Sequence, residues 1–316
     1  MTHGTRLATR QTTRVSCLVS RVSCLAILAA ALAAAALGAA CGGGDSGTGT
    51  SKTVKVTATL GLFRDLVQQV GGDRVEVSAL VPNGTDVHTY EPPPSRIVKL
   101  SQAKLVVMNG LDLEASLVGV IRENKSSSAT LLELAAGLAT LEGNNPHLWL
   151  DVQNGMTYVE RIRDALASID PAGADIYRAN ADRYLGELRT LNQEVTAAVE
   201  SIPPERRKLV TFHDAFPYLA QGYGLQLVGF VVTSPGKEPS AQEVANLTQT
   251  IASEHVPAVF KEPQFSARVL DLAARDAGVE VCSLYSDALD TNVKTYVELM
   301  RFNAQELARC LGGAGG

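Results

Sequence analysis

The stretch "DPAGADIYRANADRYLGELRTLNQEVTAAVESI", residues 170–202, decides how this chain is organised. Pro171 bounds it at the start, and Pro203 and Pro204 follow its end. Ile176, Tyr177, Tyr184, Leu188, Leu191, Val195 and Val199 recur mainly at spacings of three, four and seven with charges elsewhere, which predicts one amphipathic helix. About thirty residues at 1.5 Å each span about 45 Å, enough to run the length of two lobes. Two shorter helices broken near Asn180 to Asp182 are the competing reading, because asparagine and aspartate are poor helix-interior residues. Neither glycine nor proline enforces a break there.

On either side of this segment, strand-like and helical stretches alternate. Before it come "VKVTATL" (54–60), the helical "LFRDLVQQVGG" (62–72), "VEVSALV" (75–81), the helical "PSRIVKLSQA" (94–103) and "LVVMNG" (105–110). After it come "KLVTF" (208–212), "LQLVGFV" (225–231), a helix near 241–253, "AVF" (258–260), a helix near 266–277 and "VEVCSLY" (279–285). A repeated β-α-β rhythm predicts mainly parallel sheets with helices on their faces. The expected fold class is therefore α/β, with two lobes, residues 53–169 and 203–311, joined by one long rigid helix over 170–202 and followed by a tail, 312–316.

The first forty residues read as an address. Arg6, Arg10, Arg14 and Arg21 precede an uncharged alanine-rich run over 22–40, the pattern of a secretory signal. The small residues before Cys41 resemble a bacterial lipobox, although Gly38 stands where leucine is usual and Leu37 lies one place too early. Cys41 is thus the expected lipidation site, with ordinary signal cleavage or an uncleaved anchor as alternatives. The Gly/Ser/Thr-rich start of residues 41–52 would be a flexible tether of roughly 15 to 20 Å.

Four of the 28 basic residues and none of the 33 acidic ones precede residue 41, which leaves 24 against 33 and a net charge near −9. Such an acidic balance argues against a nucleic-acid partner. With Cys41 lipidated, Cys282 and Cys310 remain. In an oxidising compartment they could form a disulfide worth roughly 3 to 4 kcal/mol in the chain-entropy picture. Two buried free thiols are the alternative.

Three histidines stand where an aliphatic segment meets a polar loop: His88, His147 and His213. Glu262 and Asp287 hold matching positions later in the chain. In open α/β sheets ligands bind beyond the carboxyl ends of the strands, and His88, His213, Glu262 and Asp287 would all project there. His147 instead opens a short apolar run, so no strand end places it. Three imidazoles and a carboxylate suit a divalent transition metal held between the lobes. Against this, a lone loop histidine is usually an ordinary surface residue, and no tight spacing links these three. His255, next to Val256 and Pro257, fits a helix C-terminus and is given no ligand role. Asp214 and Glu91 could orient ligand imidazoles, or serve as capping or solvated carboxylates.

Five motifs in order, "PNGTDVHTYEPPPS", "NPHLWLDVQNGMTYVERI", "TFHDAFPYLAQGYGLQLVGF", "FKEPQFSARVLDLAARDAGVEV" and "LYSDAL", resemble the substrate-binding proteins of zinc and manganese ABC importers. The likeness covers nearly all of residues 53–311. It implies metal ligation by His88, His147, His213 and Asp287; Glu262 is expected, from its own position, to orient a ligand or to stand in as an alternate oxygen donor. The resemblance also implies a non-enzymatic, monomeric, lipid-anchored protein of the cell envelope that delivers metal to a membrane permease and its ATPase. The stretch 114–145 lacks the histidine-rich loop of many zinc-specific members, while His213 stands where manganese-specific members often carry a carboxylate.

Three nitrogens and one carboxylate favour zinc, with manganese second. Because imidazoles must be deprotonated to ligate, affinity is expected to fall below pH about 6.5. A surface adhesin is compatible with the tether. A zinc hydrolase is the rival from another class, but a fourth ligand would close the position that activates water.

Overall fold

Runs of β-branched residues form the strands and amphipathic stretches form the helices of this computed structural model, which describes residues 53–312 except 237, 238 and 267. The expected signal, Cys41, the tether and residues 313–316 lie outside the described residues. The first lobe runs β1 (Val54–Ala58), α1 (Gly61–Gly71), β2 (Val75–Ala79), α2 (Pro94–Gln102), β3 (Leu105–Met108), α3 (Val118–Asn124) and β4 (Thr130–Glu133). Two helices follow, α4 (Val152–Ile169) and α5 (Ala174–Glu200). The second lobe runs β5 (Lys208–His213), α6 (Pro217–Tyr223), β6 (Gln226–Val232), α7 (Ala241–Ser253), β7 (Ala258–Lys261), α8 (Arg268–Ala277) and β8 (Glu280–Ser283), and α9 (Tyr296–Gly312) ends the chain.

The fold is α/β with two parallel sheets, ordered β2-β1-β3-β4 and β6-β5-β7-β8. Each sheet starts at a central strand, adds a neighbour on one side, then crosses to the other. The strand order therefore reverses between β1 and β3, and again between β5 and β7. A crevice opens at the carboxyl ends of such strand pairs, where α/β sheets place ligands.

The long helix is continuous over 27 residues, about 40 Å. It buries Tyr177, Ala181, Tyr184, Leu185, Leu188, Leu191, Val195 and Val199 on one face. Ile176 departs from the predicted stripe and faces solvent at 46% exposure, because its neighbour Tyr177 takes the inward position. Asn180 does not break the helix; its Nδ2 donates to the Val70 carbonyl at the end of α1. One apolar core runs from β1 through α5 to α9. A smaller one lies under α7 and α8, where Val210 and Val259 point away from Leu209 and Phe260 in the main core, as the two-residue strand period requires.

The last helix reaches back to the first lobe. The Tyr296 N–H donates to Asp65 Oδ2 of α1 at 2.8 Å, and the Tyr296 hydroxyl donates to the Trp149 carbonyl at 2.6 Å. Gly155 on α4 admits this tyrosine, since a Cβ there would lie 2.4 Å from its hydroxyl. Cys282 on β8 and Cys310 on α9 are joined by a disulfide. Their separation of 28 residues makes the bond worth roughly 3 to 4 kcal/mol in the loop-closure picture. Among the described residues, no helix is long and apolar enough to cross a membrane.

Candidate metal centre

Four separate segments bring one side chain each to the cleft. His213 is the last residue of β5, and Asp287 lies four residues beyond β8. His88 lies in the loop after β2, where the Asp86 carboxylate accepts its backbone N–H at 2.9 Å. His147 sits at no strand end; it precedes the 3-10 turn Leu148–Leu150 that leads into α4. Potential ligand atoms of His88, His147, His213 and Asp287 all lie within 4.8 Å of one another.

The Nδ1 atoms of two rings face acceptors outside this cluster. His213 Nδ1 lies 2.8 Å from Glu262 Oε2, which also accepts the His213 backbone N–H at 3.3 Å. Glu262 Oε1 accepts from the Ser286 hydroxyl, which in turn accepts from Gln264 Nε2. His147 Nδ1 lies 2.9 Å from Asn145 Oδ1, and Asn145 Nδ2 donates to the Asp214 carbonyl at 2.6 Å, so the amide presents its oxygen to the ring. Each ring thus donates outward through Nδ1 and turns its Nε2 inward.

These two Nε2 atoms face each other at 3.3 Å. Asp287 lies 3.3 Å from His147 Nε2, 3.5 Å from His88 Nε2 and 3.8 Å from His213 Nε2. Neither Asp287 oxygen, nor His88 Nε2, has a partner with hydrogen-bond geometry, although all three atoms are buried. Ring nitrogens converging on a buried anion that has no hydrogen-bond donor form a good cradle for a cation. Three nitrogens and a carboxylate match the donors of four-coordinate zinc.

The surroundings drive the imidazoles apart. Burial pulls His147 down to about 4. Burial also opposes charge on His213, but the Glu262 carboxylate outweighs it and raises this ring to about 9. Asp287 is held well below the usual carboxylate range: burial opposes its charge, and the histidines, His147 first, overcome that cost. The single sequence-based expectation near 6.5 therefore divides into two opposite shifts. Trp149 and Phe265 pack at centroid distances of 5.3 and 5.2 Å from His147 and His213, and Trp149 Nε1 donates to the Ser286 carbonyl next to Asp287. A cleft of about 520 Å³ opens onto His88 and His147, with Asp112 and Asp214 in its wall.

Sequence reasoning missed Asn145. It offered Asp214 and Glu91 as orienting carboxylates, whereas Asp214 contributes its backbone carbonyl to Asn145 and Glu91 is exposed. Glu262 lies behind His213, its oxygens taken by His213 and Ser286. His255 is exposed and adopts φ +52 just after α7, remote in role from the cluster.

The chain resembles proteins named for zinc, manganese and iron. Residues 56–310 match the family described as zinc-uptake complex component A, periplasmic. The chain is 33% identical over 272 residues to the manganese-binding lipoprotein MntA of Halalkalibacterium halodurans, covering 82% of this chain and 90% of that one. It is 30% identical over 275 residues to the iron-binding protein YfeA of Yersinia pestis, covering 83% and 88%. A crystal structure of ZnuA superposes with a TM-score of 0.74 at 31% identity, covering 82% of this chain and 99% of the other.

Proposed function

The chain belongs to the zinc-uptake complex component A family, and we propose that it captures zinc in the cleft between its lobes for delivery to an ABC permease and its ATPase. Members of this family are substrate-binding proteins of metal importers, not enzymes. The observation that carries the zinc reading is the convergence of two Nε2 atoms, 3.3 Å apart, on a buried carboxylate without hydrogen-bond donors. His88, His147 and His213 would supply nitrogen, Asp287 the negative charge, and Glu262 and Asn145 would orient two of the rings.

Manganese is the second reading. It is supported by the resemblance to a manganese-binding lipoprotein. Manganese prefers six oxygen-rich ligands, and a nitrogen-dominated set of four side chains favours zinc by the usual affinity order. We place the protein outside the cytoplasmic membrane, held by lipid at Cys41 as the lipoprotein names of its relatives suggest. The acidic vestibule is suited to gathering cations.

Competitive titration of zinc against manganese with purified protein tests this reading. Zinc should bind at one equivalent and more tightly than manganese. Affinity should fall between pH 7 and pH 5, because protons compete for the imidazole nitrogens. Tighter manganese binding would reverse the metal assignment, and pH-independent affinity would refute ligation by three histidines.

A further inference from the structure

Asn145 touches both sides of the cleft. Its Oδ1 accepts the His147 backbone N–H at 3.1 Å and faces the ring Nδ1 at 2.9 Å. Its Nδ2 donates at 2.6 Å to the carbonyl of Asp214, the residue after His213 in the second lobe. Its own carbonyl accepts the Tyr218 hydroxyl at 2.9 Å, and that hydroxyl accepts the Leu141 N–H at 3.1 Å. The segment that carries His147 is thereby tied to the second lobe at three points. Turning the amide over would set its NH₂ against two N–H groups and its oxygen against a carbonyl, so only one orientation satisfies every partner.

We infer that Asn145 is a positioning residue that latches the lobes together and, through the same amide, fixes the nitrogen that His147 offers to a metal. The inference rests on the metal reading above. With the Asp214 carbonyl in place, the amide oxygen holds the His147 proton on Nδ1 and leaves Nε2 free to ligate. Parting the lobes removes the Asp214 acceptor and leaves the amide held only by the His147 N–H groups. The ring is then less firmly confined to its ligating form. Cleft opening and loosening of one ligand become a single event, which suits a protein that must surrender its cargo.

Two substitutions separate the two roles. Asn145→Asp keeps an acceptor for the ring but sets a carboxylate against the Asp214 carbonyl, so it should remove the side-chain tie of the latch and spare the imidazole. Asn145→Ala removes both. Histidine nitrogen NMR on the metal-free protein should show His147 protonated at Nδ1 in the parent and in Asn145→Asp, and a mixture of tautomers in Asn145→Ala. Zinc release to a chelator should be about tenfold faster in both variants, the scale expected for partners of metal ligands.

Release from Asn145→Asp at the parental rate would overturn the latch. A single Nδ1–H form in Asn145→Ala would overturn the control of His147. A parent protein that takes up no zinc would refute the transport reading instead, while the nitrogen spectra would still decide whether Asn145 sets the tautomer.

Discussion

The two lobes repeat one strand order, and each buries a carboxyl group at the crevice where that order reverses: Glu114 in the first, Glu262 in the second. In the first lobe the crevice is filled by neutral donors. Glu114 Oε1 accepts the Thr59 hydroxyl at 2.7 Å and the Asn109 N–H at 2.8 Å, and Oε2 accepts the Gly110 N–H at 3.1 Å. Burial outweighs these bonds and pushes Glu114 up to about 7. In the second lobe an imidazole takes that place, and its far nitrogen looks into the cleft. Thr59 follows β1 where His213 ends β5. The exchange of a hydroxyl for an imidazole accompanies the difference between a hydrogen-bonded carboxyl and a candidate metal platform.

Breaking the second-lobe site should have the largest effect. Asp287→Ala removes the only anion among the four candidate ligands. If a binding free energy of about 10 to 16 kcal/mol is shared among four ligands, the loss is about 2.5 to 4 kcal/mol, or roughly two to three orders of magnitude in zinc affinity by competitive titration. Glu262→Gln should weaken zinc by about 10- to 100-fold, since it disturbs the residue that orients His213. Glu114→Gln, the matching change in the first lobe, should leave zinc affinity unaltered. Equal losses from the two glutamines would erase the distinction between the crevices.

The first-lobe carboxyl should instead register in stability. Its folded value of about 7 exceeds the ordinary 4.5, so the folded state holds the extra proton in that window. This contribution is complete below about 4.5 and is lost as the pH rises through about 7, on the order of a few kcal/mol in all. Denaturant midpoints across pH 5 to 8 should show a downward slope that Glu114→Gln flattens. The amide facing the Gly110 N–H will add a constant offset, which makes the slope the quantity to read. Gly186→Ala should give the smallest effect. Gly186 is exposed inside α5 with no atom within 4 Å of an added Cβ, and the change should stabilise the protein by about 0.5 to 1 kcal/mol. Because α5 packs on the core shared by both lobes, they should shift together in one thermal transition.

Much of the scaffold was legible in the sequence. Most strand cores appear as β-branched runs, and α5 appears as a stripe at helical spacing. The four-residue β4 and the helices α3, α4, α6 and α9 were not read: "TLLE" and the seven-residue α3 and α6 are too short to show a period, whereas α4 and α9 do carry apolar residues at helical spacing. Ile176 was misplaced because an apolar pair at adjacent positions does not say which member faces inward. For the candidate site, strand ends and the ordered motifs picked out the four residues that the fold brings together. Their supports were illegible. Asn145 matters because an amide, unlike the carboxylates that were considered, both accepts from a ring and donates across the cleft. Nothing in residue type alone separates Glu114 from Glu262; the partners that distinguish them come from distant segments.

X-ray absorption at the zinc edge of the loaded protein tests the central claim most directly. Four ligands are predicted, three of them imidazole nitrogens at about 2.0 to 2.1 Å and one a carboxylate oxygen. A six-coordinate, oxygen-rich shell, or fewer than three imidazoles, would contradict the assignment of His88, His147, His213 and Asp287.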